Sequence, residues 1–142
     1  MNTVIRKLTQ EDLPKATEVF CKAFNSVGEM WGPEVARKRL EQYYNPQACW
    51  VALLDSEIIG VITCKVDNVL DHQELYIDVI AVNPDCHKTG IGAKLLQTAE
   101  EHAKKQGYKA VWLTASNKLP SFDWYLKIGF RETSWKALEK SI

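Results

Sequence analysis

Residues 74–116 read "ELYIDVIAVNPDCHKTGIGAKLLQTAEEHAKKQGYKAVWLTAS", and the change of pattern along them decides the fold class. The opening run, "ELYIDVIAV", is rich in β-branched and aromatic residues and reads as a strand. A polar turn with two glycines one residue apart follows. Ile91, Leu95, Leu96, Ala99 and Ala103 then lie along one side of a long helix, with Glu100–Lys104 and Glu101–Lys105 as i,i+4 pairs on the other. Gly107 suits the C-cap, and "KAVWLTAS" is again a strand, so Glu74 to Ser116 makes a strand, helix, strand unit.

Working outward, "ACWVALLD" and "EIIGVITCKVD" are two strands joined by little more than Asp55-Ser56-Glu57, which reads as a hairpin. The polar "NVLDHQ" turns back into the strand at Glu74. Further upstream, Thr3 to Thr9 is a strand, Thr9 with Asp12 makes a capping box, and Leu13, Ala16, Val19, Phe20 and Phe24 fall at helical spacing. The turn-rich "NSVGEMWGP" leads to a second helix, "EVARKRLEQYY", with Pro33 at its first position and Asn45-Pro46 at its end. Downstream, a short helix from Pro120 to Ile128 ends at Gly129, and "FRETSWKALEK" reads as one or two closing strands. The order β-α-α-β-β-β-α-β-α-β-β predicts one α/β (α+β) domain over residues 1–142, a mixed central sheet of six or seven strands flanked by four helices.

A chain of 142 residues with 46% hydrophobic content buries a core of its own. Eighteen basic and eighteen acidic residues give a formal net charge of zero, so no broad positive field favours a nucleic-acid partner. The four cysteines, Cys21, Cys49, Cys64 and Cys86, form no CxxC pair and read as reduced thiols. No apolar run of about 18 residues is present, and the N-terminus lacks a signal-peptide pattern. The expectation is a soluble, cytoplasmic protein with no membrane partner and no metal.

Glycine inside a helix costs roughly 1 kcal/mol relative to alanine, so Gly90 and Gly92 in a first turn need a reason. One is a tight turn or close helix packing. Another is a ligand: a loop running into a helix aims unpaired N–H groups and the positive end of the helix dipole at one point, an anion site. His87 and Lys88 add donors there. Spacing narrows the ligand. A Walker loop requires lysine after its second glycine, where this chain has Ala93; a dinucleotide fingerprint requires a third glycine, where it has Leu95, and an acid that "LTASN" lacks.

"VIAVNPDCHKTGIGAKLL" resembles the acetyl-CoA signature of the GNAT N-acetyltransferase superfamily, (Q/R)-x-x-G-x-(G/A) shortly after a strand ending in valine, with His87 departing at the first position. "SFDWYLKIGF" resembles the family's aromatic-Tyr-x-x-x-Gly-Phe element through Tyr125, Gly129 and Phe130. The resemblance extends over essentially the whole chain. It implies an acetyl-CoA-dependent N-acetyltransferase that uses no metal and moves an acetyl group to a primary amine by direct attack in a ternary complex. It further implies that Ile80 and Val82 offer backbone groups to the pantetheine arm. The pyrophosphate would lie over His87, Lys88, Thr89, Gly90, Ile91, Gly92 and Ala93. Asn117 stands where many members have a cofactor-contacting asparagine; the spacing from it to Tyr125 is one residue longer than the family's common spacing and contains Pro120, so a plain turn residue is an equal reading.

Tyr125 is the candidate acid for the departing thiolate, or a core tyrosine between Trp124 and Phe130. A backbone N–H near Val82 is the candidate oxyanion donor. Period-2 alternation puts Glu74, Tyr76, Asp78, Ile80 and Val82 on one strand face. Asp78 could accept a proton through water, hold a cationic amine, or serve the structure alone. Glu29, Trp31 and Tyr76, with Tyr43 and Trp135, are candidates for the acceptor site or for ordinary core and surface. The acceptor is a small-molecule amine or a peptide or protein amine, and a homodimer is left open. The rivals are a non-catalytic acyl-CoA-binding or regulatory module and an enzyme for a longer acyl chain.

Overall fold

The computed structural model describes residues 3–87 and 89–142. Its strands are β1 (Thr3–Lys7), β2 (Cys49–Leu54), β3 (Glu57–Val69), β4 (His72–Val82) and β5 (Val111–Trp112). Its helices are α1 (Leu13–Asn25), α2 (Pro33–Tyr43), α3 (Ile91–Gln106) and α4 (Pro120–Lys127). The strands form one mixed sheet in the order β1-β2-β3-β4-β5. The first three pairings are antiparallel and the last is parallel, because α3 carries the chain across one face before β5 begins.

Local chemistry sets the elements. The Thr9–Asp12 capping box is present, the Thr9 N–H donating to Asp12 Oδ2 at 2.9 Å. It opens a single 3-10 turn, Gln10–Asp12, that continues into α1. Arg6 donates to both oxygens of Asp12 at 2.7 and 3.0 Å; that pairing first, and the Thr9 hydrogen bonds with it, hold the carboxyl down at about 2. Pro33 starts α2. Asn45 ends it by donating to the Cys64 carbonyl at 2.7 Å and accepting from the Ala48 N–H at 2.8 Å. Asp55 and Ser56 take φ of 49° and 72°, the left-handed pair that a two-residue hairpin needs.

Helices α1 and α2 cover one face of the sheet, with Phe20 and Leu40 packed into a cluster with Leu8, Val51, Val61 and Val79. Helix α3 covers the other with Ile91, Leu95, Leu96, Ala99 and Ala103, the residues its spacing selects. Among the described residues no helix is long and apolar enough to cross a membrane.

Four expectations need correction. The sheet has five strands, because residues 131–142 form none. Trp135 and Leu138 there are 89% and 95% exposed, and a segment whose apolar residues meet no neighbour has no face to hold it in a sheet. Strand β5 is two residues long, far short of "KAVWLTAS". Among the described residues, neither Glu100–Lys104 nor Glu101–Lys105 closes as an ion pair; Glu101 accepts from Gln97 at 3.2 Å instead.

The fourth correction concerns β4. Its pairing with β3 runs from Gly60–Val82 to Thr63–Val79 and then jumps to Cys64–Ile77, which leaves Asp78 as an extra residue in a β-bulge. A one-residue insertion reverses the alternation. Leu75 and Ile77 face α3, whereas Val79 and Ala81 face α1 and α2. Tyr76 and Asp78 therefore look toward α2, while Ile80 and Val82 pack on the α3 side.

Candidate active site

Strands β4 and β5 pair only at Leu75–Val111 and Tyr76–Trp112. Beyond Tyr76 they part, and β4 runs on to Val82 with β3 as its partner. A splayed parallel pair leaves one edge of β4 with free N–H and C=O groups facing an opening. Ile80 and Val82 border that opening on the α3 side; they are the residues to which the family resemblance assigns the pantetheine arm.

Helix α3 begins where the splay ends. Gly90 is its cap residue at φ 81°, makes no side-chain cap, and accepts the Lys94 N–H at 3.0 Å through its carbonyl. No acidic side chain lies in the first turn of α3. The N–H groups of Ile91, Gly92 and Ala93 thus head a helix with no acidic side chain in its own first turn to offset the dipole. Thr89 is exposed and donates from Oγ1 to the Cys86 carbonyl, which fixes the loop into Gly90. His87 is exposed at the end of the 3-10 turn Pro84–Cys86. Lys88 lies outside the described residues. The exposed Ion pair Lys22–Asp85, at 2.8 Å, ties α1 to the same turn.

The two glycines do different work. A side chain at Gly90 meets open space but a strained backbone. A Cβ at Gly92 would stand 3.8 Å from Val82 Cγ2 and 3.9 Å from Trp124 Cη2, ordinary contact with the two walls of the splay. Gly90→Ala is expected to lower stability by about 1 kcal/mol. Gly92→Val is expected to leave the fold intact and weaken CoA about 5-fold or more, since its methyl groups extend between Val82 and Trp124. Calorimetric CoA titration with thermal unfolding of each variant separates the two; normal CoA affinity in a folded Gly92→Val protein gives both glycines a packing role only.

Helix α4 brings the second motif to this place. Its Trp124 touches the Gly92 position. Tyr125 packs at 5.1 Å from the Trp124 ring and edge-on to Phe130 at 5.6 Å. Gly129, at φ 110°, closes the helix so that the Phe130 N–H reaches the Tyr125 carbonyl at 3.0 Å and the Phe130 ring returns over Tyr125. Burial pushes the Tyr125 phenol up to about 12. Among the described residues nothing bonds its hydroxyl. Asn117 lies in an exposed turn before α4.

Across the sheet, the side that α2 covers holds a polar and aromatic cluster. Asp78 accepts from Arg39 Nε at 2.8 Å and Nη2 at 2.6 Å, and from the Tyr76 hydroxyl at 3.2 Å. Its side chain is 0% exposed, against 38% for Arg39. Tyr76 packs on Trp112 at 4.5 Å and faces Tyr43 at 6.0 Å. Burial first, and then the Asp78 charge, raise the Tyr76 phenol, with a hydrogen bond from Thr114 opposing. Trp31 packs edge-on against Phe20 at 4.7 Å and donates from Nε1 to Glu29 at 3.0 Å, while Asn25 accepts the Trp31 N–H at 2.8 Å and shapes the loop between α1 and α2. Trp135 joins neither group.

Arg39, Lys65, Trp112 and Thr114 belong to this cluster and escape the sequence reading. One signal was there: Arg39 stands four residues before Tyr43 on the same helix face, and a buried strand aspartate needs a cationic partner.

Comparison with known proteins is consistent with this geometry. Residues 6–130 match the family model described as acetyltransferase (GNAT) family. An uncharacterized N-acetyltransferase of Methanocaldococcus jannaschii, MJ1207, is 26% identical over 97% of this chain and 66% of its own length. The probable N-acetyltransferase camello of Xenopus laevis is 34% identical over 59% of this chain and 38% of its own. The chain therefore spans just under two thirds of the archaeal relative and well under half of the frog one. The crystal structure of aminoglycoside N-acetyltransferase AAC(6')-Iy in complex with CoA superposes with a TM-score of 0.78 at 14% identity, covering 99% of this chain and 95% of that one.

Proposed function

The chain belongs to the acetyltransferase (GNAT) family, and from that premise we propose that it moves an acetyl group from acetyl-CoA to a primary amine by direct attack in a ternary complex. The observation that carries this reading is the meeting of the β4–β5 splay with the uncapped N-terminus of α3. In this reading the free edge of β4 at Ile80 and Val82 receives the pantetheine amides, and the N–H groups of Ile91, Gly92 and Ala93 receive the pyrophosphate, with His87, Lys88, Thr89 and Gly90 around it. An N–H near Val82 stabilises the oxyanion as the amine attacks. The C–S bond then breaks as Tyr125 gives its proton to the departing sulfur, and the proton that the nitrogen sheds on becoming an amide passes to solvent, from which the phenol is restored. Asn117, in its exposed turn, is the least supported of the cofactor contacts.

The amine arrives from the α2 side, past Tyr76, Glu29 and Trp31. Asp78 acts there as a positioning residue for Arg39 and Tyr76, because Arg39 already occupies both of its oxygens. We assign the whole chain to one N-acetyltransferase domain working in the cytoplasm on a small-molecule or peptide amine, alone or as a homodimer.

Release of free thiol from acetyl-CoA across an amine panel tests the reaction. Cofactor binding without release on any amine would make the chain a binding module, and release from longer acyl-CoA alone would change the donor. The pH dependence is a second check. A proton donor raised to about 12 stays protonated far above neutrality, so turnover is expected to rise with pH as the amine, with reference pKa about 10, loses its proton. No descending limb is expected below about pH 11. A bell-shaped profile falling before pH 9, after subtraction of spontaneous thioester hydrolysis, would take the acid role from Tyr125.

A further inference from the structure

The α2 side of the sheet carries a charge arrangement that acetyl transfer alone does not require. Two cationic heads centre on one ring: the Arg39 guanidinium carbon lies 5.1 Å and the Lys65 ammonium 5.4 Å from the Tyr43 centroid. Lys65 also stands 5.7 Å from the Tyr76 centroid. The carboxylate beside them, Asp78, is 0% exposed and its oxygens are taken by Arg39 and Tyr76. Fully buried, it presents no oxygen to an incoming cation. Arg39 is 38% exposed and keeps Nη1, which bonds nothing among the described residues, as a donor. Lys65 is exposed and, among the described residues, has no carboxylate at ion-pair distance.

The other acids on this face lie further out. Glu74 is bonded by His72 at 2.8 Å, and Asp67 is its cross-strand partner, roughly 7 Å beyond the Lys65–Tyr76 rung along the hairpin. Glu29 accepts from the Trp31 indole at 3.0 Å. Beside the aromatic walls, the groups with free capacity are therefore cationic donors. Asp78 offsets the Arg39 charge, so Lys65 leaves the cluster with one positive charge in excess, and an anion beside both heads balances it. With the Nε/Nη2 fork of Arg39 filled by Asp78, Nη1 and the Lys65 ammonium are the two charged donors open to a ligand carboxylate, and the rings of Tyr43 and Tyr76 supply apolar contact beside them.

We propose that the acceptor is a small primary amine that also carries a carboxylate, with that carboxylate held between Arg39 and Lys65 against Tyr43 and Tyr76. This rests on the acetyltransferase reading for the role of the amine. It also sets the site against polycationic amines, which would bring like charge to the same two heads.

Matched pairs test it. Glycine, β-alanine, 4-aminobutanoate and neutral α-amino acids, each against its carboxamide, are titrated by calorimetry into the CoA-saturated protein. At least one carboxylate member is expected to bind about 10-fold more tightly than its amide. Lys65→Gln, a change at an exposed side chain, is expected to cut that ratio to about 3-fold or less, and Lys65→Glu to favour the amide. Equal binding across all pairs, or a preference untouched by both Lys65 variants, overturns the inference. Thiol release measured on the same pairs keeps the two readings apart. A carboxylate preference in binding, with no thiol release from acetyl-CoA on these pairs or on any amine of the wider panel, refutes the transferase and leaves this site standing; thiol release that prefers amides or diamines does the reverse.

Discussion

Tyr125→Phe is expected to lower turnover with acetyl-CoA by about 10- to 1000-fold while changing the affinity for the cofactor by no more than about twofold. The substitution removes one hydroxyl and keeps the ring. That ring's contacts with Trp124 at 5.1 Å and Phe130 at 5.6 Å survive, and no described residue loses a hydrogen-bond partner, so the fold has little reason to respond. What disappears is the proton that, in the proposed mechanism, the leaving thiolate takes in the transition state. Burial that raises the phenol to about 12 keeps that proton in place at every working pH. The same burial makes its transfer to a thiol of reference pKa about 8.5 uphill unless the sulfur sits in direct hydrogen-bond contact. An effect confined to kcat is accordingly the signature of a group that acts only in the transition state. Unchanged turnover in a folded Tyr125→Phe protein, with chemistry shown to limit the rate, would remove Tyr125 from the mechanism.

The features that organise this site were not equally visible in the chain. The glycine loop and the long helix were legible because both obey local rules: helical spacing fixes the buried face of α3 residue by residue, and a left-handed cap at Gly90 needs glycine. The capping box at Thr9 and Asp12 is equally local. Asp78 shows where local rules stop. Nothing in "ELYIDVIAV" marks an inserted residue, since the bulge exists only in the register between β4 and β3. Strict alternation therefore puts Ile80 and Val82 on the face of Tyr76, whereas the fold sends them to opposite sides of the sheet, Ile80 and Val82 to the α3 side and Tyr76 to the α2 side. The brevity of β5 has the same origin: "KAVWLTAS" has strand character throughout, and pairing ends at Trp112 because the partner strand diverges. Arg39 went unread because a helix residue and a strand residue 39 positions apart meet only once the helix lies on the sheet.

Removing Arg39 while leaving Asp78 is expected to be the most damaging single change on the acceptor side. Arg39→Leu strands a carboxylate that is 0% exposed, bereft of the two hydrogen bonds at 2.6 and 2.8 Å that fill its oxygens. Breaking one partner out of a buried pair costs about 3–5 kcal/mol, and the 38% exposure of Arg39 argues for the lower part of that range or somewhat below it, about 2–3 kcal/mol. For a chain of this size that is a fall in Tm of roughly 5–10 °C. The double variant Arg39→Leu/Asp78→Leu is expected to regain part of the loss, because no buried charge is left without a partner. Asp78→Asn separates positioning from proton transfer. An asparagine keeps one oxygen for Arg39 and the shape of the bulge, so as a positioning residue it is expected to raise the acceptor KM and leave the pH profile of turnover unmoved. A base at Asp78 predicts the opposite pattern, a fall in kcat that deepens as pH drops, since only amine already neutral in solution could then react. Chemical denaturation of the two single variants and the double variant, run beside pH profiles with a weakly and a strongly basic acceptor, reads both effects. A kcat loss in Asp78→Asn that grows toward acid pH, with KM unchanged, would restore the base and end the positioning role.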